Sequence, residues 1–63
     1  MKIGDKVRPK HIIPVSNKKN MFENETGVIV DISLDNYGHT FFTVRRDRDG
    51  EIFDAFEWSW EEA

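Results

Sequence analysis

The sequence predicts a mainly β domain, and three observations carry this prediction. β-Branched and aromatic side chains, which fit a pleated strand surface, dominate the apolar set: Val and Ile supply eleven residues, and Phe, Tyr and Trp supply eight. The usual helix formers are scarce, with one Leu and two Ala among 63 residues. Short alternating runs of apolar and polar residues are separated by turn-forming Gly, Asn, Asp and Pro. At this length the chain is expected to form one domain over residues 1–63, with a single thin core.

The N-terminal third is predicted to contain one short strand and one long loop. Charged residues flank Val7, as in a strand with one buried face, and Pro9 removes a ladder donor and so limits that strand. Residues 10–24 contain Pro14 and three Asn, which predicts a long loop that is functional or folds back on itself. Apolar residues near the ends of this loop are expected to tuck under the rim of the domain: Ile12, Ile13, Val15, Met21 and Phe22.

Residues 25–33 give the clearest strand signal in the chain. Three alternating apolar residues are predicted to share one face of this strand: Val28, Val30 and Ile32. Gly27, near the start of the strand, predicts a bend or a close approach of another segment of backbone. The turn-forming residues between 34 and 39 end the strand.

The next segment is predicted to be a strand over residues 40–46, followed by a hairpin. Alternation places two residues of the strand inward and two outward: Phe42 and Val44, and Phe41 and Thr43, respectively. Residues 47–50 are predicted to close a tight hairpin in which Gly50 supplies the positive φ that such turns require. Residues 51–55 would form the return strand.

The C-terminal aromatic segment, residues 56–60, is open to two interpretations. As a strand it would place Trp58 and Trp60 on one face, whereas as a helical turn it would place them nearly opposite each other. A single helical turn followed by a very short last strand accommodates both signals.

This order of elements resembles an SH3-like small barrel, an all-β fold with five strands, a long first loop and a single helical turn before the last strand. The stretch Gly4-Asp5-Lys6-Val7-Arg8, followed by Glu25-Thr26-Gly27-Val28-Ile29-Val30, resembles KOW-type modules. It is also similar to the variable chain of ferredoxin–thioredoxin reductase and to the E subunit of photosystem I. The resemblance implies a fold and no function, because such barrels serve many unrelated roles.

Charge is divided along the chain, and two interpretations of the division stay open. Residues 1–20 carry six basic residues against Asp5, a balance of +5, whereas residues 21–63 carry three Arg against eleven acids, a balance of −8. Either the two halves neutralise each other in the fold, or the surface is dipolar and steers a charged partner. The net charge of −3 disfavours nucleic acid as a binding partner, because phosphate groups would be repelled.

Motifs for catalysis, metal binding or cofactor binding are not found in the sequence. His11 and His39 lie 28 residues apart in a chain without Cys, which predicts no metal site. No Ser lies in a nucleophile motif, and the four Gly stand singly, so no phosphate cradle is expected. We therefore expect neither an enzyme nor a cofactor. The absence of Cys and of any apolar run longer than three residues predicts a cytoplasmic protein without a membrane partner.

Surface residues are therefore the candidates for function. Aromatic residues that do not fit easily into one small core, together with the lysines at the loop tip, form the predicted partner-binding set: Phe22, Tyr37, Trp58, Trp60, Lys18 and Lys19. Of the two Trp, one is expected inside and one partly outside, without a choice between them.

These residues predict a non-catalytic protein-interaction module or small accessory subunit, monomeric or weakly self-associating. The first alternative is a KOW-like barrel that binds nucleic acid, with stacking by Tyr37 or Phe41 beside a basic stripe. Its basic residues would be Lys6, Arg8, Lys10, Lys18, Lys19, Arg45, Arg46 and Arg48. The second alternative is an acidic inhibitor of the phage type that imitates nucleic acid.

Overall fold

The computed structural model describes residues 1–16 and 19–63, with side chains for all of these except residues 15 and 16. The described strands are β1 (Lys6–Pro9), β2 (Ile13–Ser16), β3 (Lys19–Met21), β4 (Gly27–Leu34), β5 (Thr40–Arg46), β6 (Ile52–Phe56) and β7 (Trp60–Glu62). A 3₁₀ turn, Glu57–Ser59, separates β6 from β7. None of the described segments is a helix of the length and hydrophobicity needed to cross a lipid bilayer.

Five of the strands form one antiparallel sheet in the order β6-β5-β4-β1-β7. β1 pairs on one side with β4 and on the other with β7, so the first and last strands of the sheet are neighbours. β6 and β7 are the edge strands, and over the described residues no ladder joins these two edges. The predicted all-β class and the predicted helical turn before the last strand are thereby confirmed.

The long first loop folds back on itself as a β-hairpin, which is one of the two alternatives that the sequence predicts. β2 and β3 pair with each other as a separate two-stranded sheet. Ile13 lies directly opposite Met21, and both side chains are buried in the core. Ile12 and Phe22, each one residue away, are exposed, because successive side chains of a strand point to opposite faces. Pairing therefore divides the apolar residues of this segment between core and surface.

The core lies on the inner face of the sheet and beneath the hairpin. Its buried apolar members are Val7, Ile13, Met21, Ile29, Phe42, Val44, Phe53 and Trp60. The inward orientation predicted for Phe42 and Val44 is confirmed. Trp60 is the largest side chain without solvent exposure, and its indole Nε1–H donates to the Ala55 carbonyl oxygen at 3.4 Å.

β4 does not keep one apolar face, and the prediction of a shared face for Val28, Val30 and Ile32 is wrong. Its register against β5 shifts between Ile29 and Asp31. Val28 consequently lies opposite the outward Arg45, whereas Ile32 lies opposite the inward Phe42. A β-bulge of this kind reverses the alternation, which sequence period alone does not reveal.

Two Gly positions act as the sequence predicts. A Cβ at Gly27 would lie 2.6 Å from the carbonyl oxygen of Arg45 and 2.6 Å from Cγ1 of Val44, so this Gly permits the close approach of β5. Gly50 has φ 75° at the end of the 47–50 turn, and its N–H donates to the Arg46 carbonyl at 2.9 Å. The tight hairpin between β5 and β6 follows from that geometry.

Candidate interaction surface

The outer face of β4, β5 and β6 carries cross-strand rows of different chemistry. The row at one end joins Ser33, Phe41 and Phe56. The middle row joins Asp31, Thr43 and Asp54, and the Thr43 hydroxyl donates to Asp54 Oδ1 at 2.6 Å. The row at the other end joins Val28, Arg45 and Ile52. Rows two residues apart along a strand are separated by about 7 Å, so aromatic, acidic and basic groups succeed one another along this face.

The aromatic row is extended by Trp58 into a stack of three rings. Phe41 stacks on Phe56 with ring centroids 4.2 Å apart, and Trp58 stacks on Phe56 at 4.4 Å with an interplanar angle of 11°. Two rings at such distances cannot occupy the same face of Phe56, so Phe56 lies in the middle of the stack. Trp58 is then a terminal ring. It is 54% exposed, which leaves one face of its indole available to solvent.

His39 packs against the side of this stack. Its ring centroid is 5.7 Å from that of Phe56 and 5.6 Å from that of Trp58, with nearly perpendicular planes. Because these distances are almost equal, the imidazole lies alongside the two stacked rings and does not cover the free face of Trp58. Tyr37 extends the surface further, with its ring centroid 6.5 Å from that of His39 and 87% of the residue exposed.

Asp35 organises the loop that presents His39 and Tyr37. Its Oδ1 accepts hydrogen bonds from the backbone N–H groups of Tyr37 and His39, each at 2.8 Å, and its Oδ2 lies 3.3 Å from His39 Nδ1. Partial desolvation raises the pKa of Asp35, but the backbone hydrogen bonds from His39 and Tyr37 outweigh it and lower the pKa overall. An ionised Asp35 therefore fixes the loop between β4 and β5.

The opposite end of β5 contains a cluster of charged side chains around Arg46, which we call the Arg46 cluster: Glu25, Arg46, Arg48 and Asp49. The Arg46 guanidinium donates to both carboxylate oxygens of Asp49, at 3.0 and 2.7 Å, and to the Asn20 carbonyl at 3.1 Å. It also lies 3.3 Å from Glu25, which binds Arg48 through its other oxygen. These contacts tie the hairpin of the first loop to the 47–50 turn.

The electrostatics of the Arg46 cluster are those of a satisfied structural network. Hydrogen bonds from Arg46 hold the pKa of Asp49 at about 2. Desolvation raises the pKa of Glu25, but the Phe22 N–H and the two guanidinium groups outweigh it and lower that pKa. Hydrogen bonds to Asp49 raise the pKa of Arg46, although desolvation opposes them. With its guanidinium 4.8 Å from the Phe53 ring centroid, Arg46 completes the core at this end.

The predicted partner-binding residues do not form one surface. Trp58 and Tyr37 lie together on the aromatic surface formed by Tyr37, His39, Phe41, Phe56 and Trp58. Phe22 is exposed but lies elsewhere, on a shallow groove beside the Arg46 cluster, and Lys19 Nζ pairs with Glu51 at 2.6 Å. Lys18 lies outside the described residues.

The prediction that Trp60 binds a partner is wrong. It has no exposed surface in the described structure, so no partner can reach it without unfolding the last strand. The physical reason is the 3₁₀ turn, which displaces Trp58 and Trp60 to different sides of the chain. The expectation of one Trp inside and one partly outside is confirmed, with Trp58 as the exposed one.

Basic and acidic halves of the chain neutralise each other through ion pairs. Three N-terminal cations pair with C-terminal acids: Lys6 with Asp47 at 3.0 Å, Arg8 with Glu61 at 3.1 Å, and Lys19 with Glu51 at 2.6 Å. The interpretation in which the halves neutralise each other thus accounts for the charge division. Together with the pairs that Arg46 and Arg48 form inside the Arg46 cluster, these contacts occupy five of the seven described residues of the proposed basic stripe.

Sequence reasoning overlooked His39 and Phe56 as members of the surface. The sequence offers His39 only as half of a histidine pair without a metal site, and Phe56 belongs to the segment with two interpretations. A usable signal existed for Phe56, because a tight hairpin between Arg46 and Glu51 sets the register that places Phe56 opposite Phe41. The described residues contain no group of His, Asp and Glu that could hold a metal ion.

Comparison with protein-family models, with curated proteins and with solved structures found no match to this chain. The function therefore has to be argued from the geometry of the surface itself.

Proposed function

We propose that this chain is a non-catalytic protein-interaction module or small accessory subunit whose contact site is the aromatic surface. Its fold is proposed to be an SH3-like barrel. The support for that fold is the sheet order β6-β5-β4-β1-β7, the long first loop, and the 3₁₀ turn immediately before the last strand. The absence of Cys favours a reducing compartment, and we place the protein in the cytoplasm.

The observation that carries the functional proposal is the half-exposed indole of Trp58 at the end of a rigid three-ring stack. The Trp58 ring stacks on Phe56 and is flanked by His39. A partner that covers the ring would therefore cause little further loss of side-chain conformational entropy. Trp and Tyr are the residues most often found as energetic anchors of protein interfaces. Tyr37 supplies the second exposed aromatic ring of the same surface.

Nucleic acid is the less favoured ligand of this surface. Phosphate binding needs cations with free charge, and five described members of the basic stripe pair with acids: Lys6, Arg8, Lys19, Arg46 and Arg48. The row next to the aromatic rings is acidic at both ends, with Asp31 and Asp54. A nucleic-acid backbone would therefore meet repulsion where the rings could stack on its bases.

The proposal is tested by comparing proteins captured from native lysate by the wild-type chain and by Trp58→Ala, with mass spectrometry as the readout. We expect at least one protein retained by the wild type and lost with Trp58→Ala. Phe22→Ala is the matched control, since it removes another exposed aromatic ring from the far end of β5 and should keep the partner. Equal capture by wild type and Trp58→Ala would contradict the assignment. Salt-sensitive capture of a nucleic-acid enzyme by both would favour the acidic mimic instead.

A further inference from the structure

We infer that the aromatic surface accepts an arginine or lysine side chain from a basic segment of its protein partner. This inference rests on the proposed function and adds the chemistry of the ligand. It follows from two neighbouring features: a free indole face, and acidic groups that form no ion pair with any residue that the structure describes.

The free face of Trp58 is the element that would contact the cation. Phe56 covers one side of the indole, and the nearly equal distances of His39 from Phe56 and Trp58 place the imidazole beside the stack. The remaining face is electron-rich and open to solvent. Trp is the aromatic residue that binds cations best, and a guanidinium or ammonium group fits against such a face.

Two acidic residues, Asp54 and Glu57, lie next to the aromatic residues along the chain. Asp54 lies two residues before Phe56 on the same face of β6, and Glu57 lies between Phe56 and Trp58 in the 3₁₀ turn. Within the described part of the chain, neither carboxylate forms an ion pair, whereas the acids of the Arg46 cluster do. Asp31 adds a third carboxylate across the sheet from Thr43.

The basic groups of the same face lie away from the rings. Arg45 follows Thr43 on the outer side of β5, two rows from Phe41, and Lys6 on β1 pairs with Asp47. The backbone of Lys10 lies beside the 3₁₀ turn, where its N–H donates to the Ser59 carbonyl at 2.8 Å. Because each exposed charge contributes little by itself, the two acids next to the rings are best tested together.

Selection of random peptides separates this inference from the proposed function. A displayed library of random twelve-residue peptides is first depleted on Trp58→Ala protein and then selected on the wild type. We expect Trp58-dependent peptides enriched in Arg or Lys. Trp58-dependent peptides without that enrichment would overturn the cationic ligand and leave the interaction module standing. No Trp58-dependent enrichment at all would overturn both.

Titration of a labelled synthetic peptide of alternating Arg and Gly then tests the acidic groups. The double variant Asp54→Asn/Glu57→Gln is expected to bind about fivefold more weakly, since each exposed charge pair contributes a modest amount. Glu23→Gln/Glu62→Gln removes the same total charge elsewhere and should bind like the wild type. Equal weakening by both pairs would overturn a local role for Asp54 and Glu57.

A third titration tests a different macromolecule at the same rings. The probe is a labelled oligothymidylate of twelve nucleotides at low salt. We expect no binding, because the acidic row lies where its phosphates would lie. Binding as tight as that of the Arg peptide, and lost in Trp58→Ala, would overturn the inference and assign the rings to base stacking.

Discussion

The two ends of β5 use aromatic and charged side chains in opposite ways. At its C-terminal end Arg46 is 6% exposed, and its guanidinium bonds to Asp49, Glu25 and the Asn20 carbonyl. At its N-terminal end Phe41 begins a ring stack that ends at a half-exposed Trp58, near acids that pair with no cation among residues 1–16 and 19–63. One end is completed by the chain itself, and the other is left available. A charge cluster in this protein therefore has a structural role where its charged groups pair with one another inside the chain.

Trp60 is the sharpest contrast to Trp58, and its truncation is expected to have the largest effect. Trp60→Ala should reduce the free energy of unfolding by about 3–5 kcal/mol, because it leaves a cavity in the core. A domain of this length has a total stability of only about 3–9 kcal/mol, so the loss is of the same order as the total and should lower the urea midpoint strongly. Far-ultraviolet circular dichroism in a urea series measures the loss.

Trp60→Phe is the control for this experiment, since it retains much of the buried aromatic volume and should still fold cooperatively. A Trp60→Ala protein with an unfolding midpoint like that of the wild type would show that the core does not depend on this ring.

Removing the Arg46 charge is expected to have the next largest effect. Arg46→Met keeps an apolar stem over Phe53 but leaves Asp49 without a guanidinium and Glu25 with Arg48 alone, which should cost about 2–4 kcal/mol at neutral pH. Urea denaturation of the purified variant gives the value.

A neutral version of the same network provides the matched comparison. The triple variant Arg46→Met/Glu25→Gln/Asp49→Asn should recover part of the loss, because it leaves no carboxylate without its cation. If the single and triple variants were equally destabilised, packing rather than charge would explain the role of Arg46.

Acid should remove the contribution of Asp49 to the stability of the Arg46 end. The pKa of Asp49 is about 2 in the folded protein against an ordinary 3.8, because Arg46 donates hydrogen bonds to it. A lowered folded-state pKa contributes stability above the unfolded value, so this contribution is present above about pH 4 and lost as the pH falls toward 2. Urea midpoints measured at pH 7, 4 and 2.5 test the sign.

Asp49→Asn is the reference for this pH series. It should be less stable than the wild type at pH 7, and the difference should shrink at pH 2.5. A difference that stayed constant across the series would contradict the assignment of this titration to Asp49.

Truncation of Trp58 is expected to have the smallest effect on stability. Trp58→Ala removes one stacked pair and should change the free energy of unfolding by about 1 kcal/mol, since half of the residue already faces solvent. Thermal denaturation measures this change, and iodide quenching of Trp fluorescence measures exposure independently.

Trp58→Phe should remove the quenchable emission and leave that of Trp60. Strong quenching in Trp58→Phe would contradict the buried position of Trp60.

Local signals in the sequence account for most of the strands. β5 begins and ends where alternation and turn residues predict, and Gly50 has the predicted positive φ. The strand pairing inside the long first loop is different, because the pairing of β2 with β3 depends on a register that the Asn and Pro residues of this segment do not indicate. The bulge in β4 was missed for the same reason.

The candidate site was only partly predictable. Alternation along β5 places Arg46 on the face of Phe42 and Val44, so its burial could have been inferred despite its inclusion in a basic stripe. Which of Trp58 and Trp60 is buried could not have been inferred, because it depends on how far the 3₁₀ turn rotates the chain. His39 joins the rings only through the loop that Asp35 holds in place.

The pairing of β1 with β7 has a consequence for how the protein is made in the cell. Arg8 and Glu61, which bond across these strands, are 53 residues apart in sequence, and the largest core side chain lies on β7. During synthesis β1 can pair with β4 early, but it pairs with β7 only after the last residues of this sequence have left the ribosome. Folding of this unit should therefore be completed only after nearly all of it has been translated, with slow kinetics typical of distant contacts.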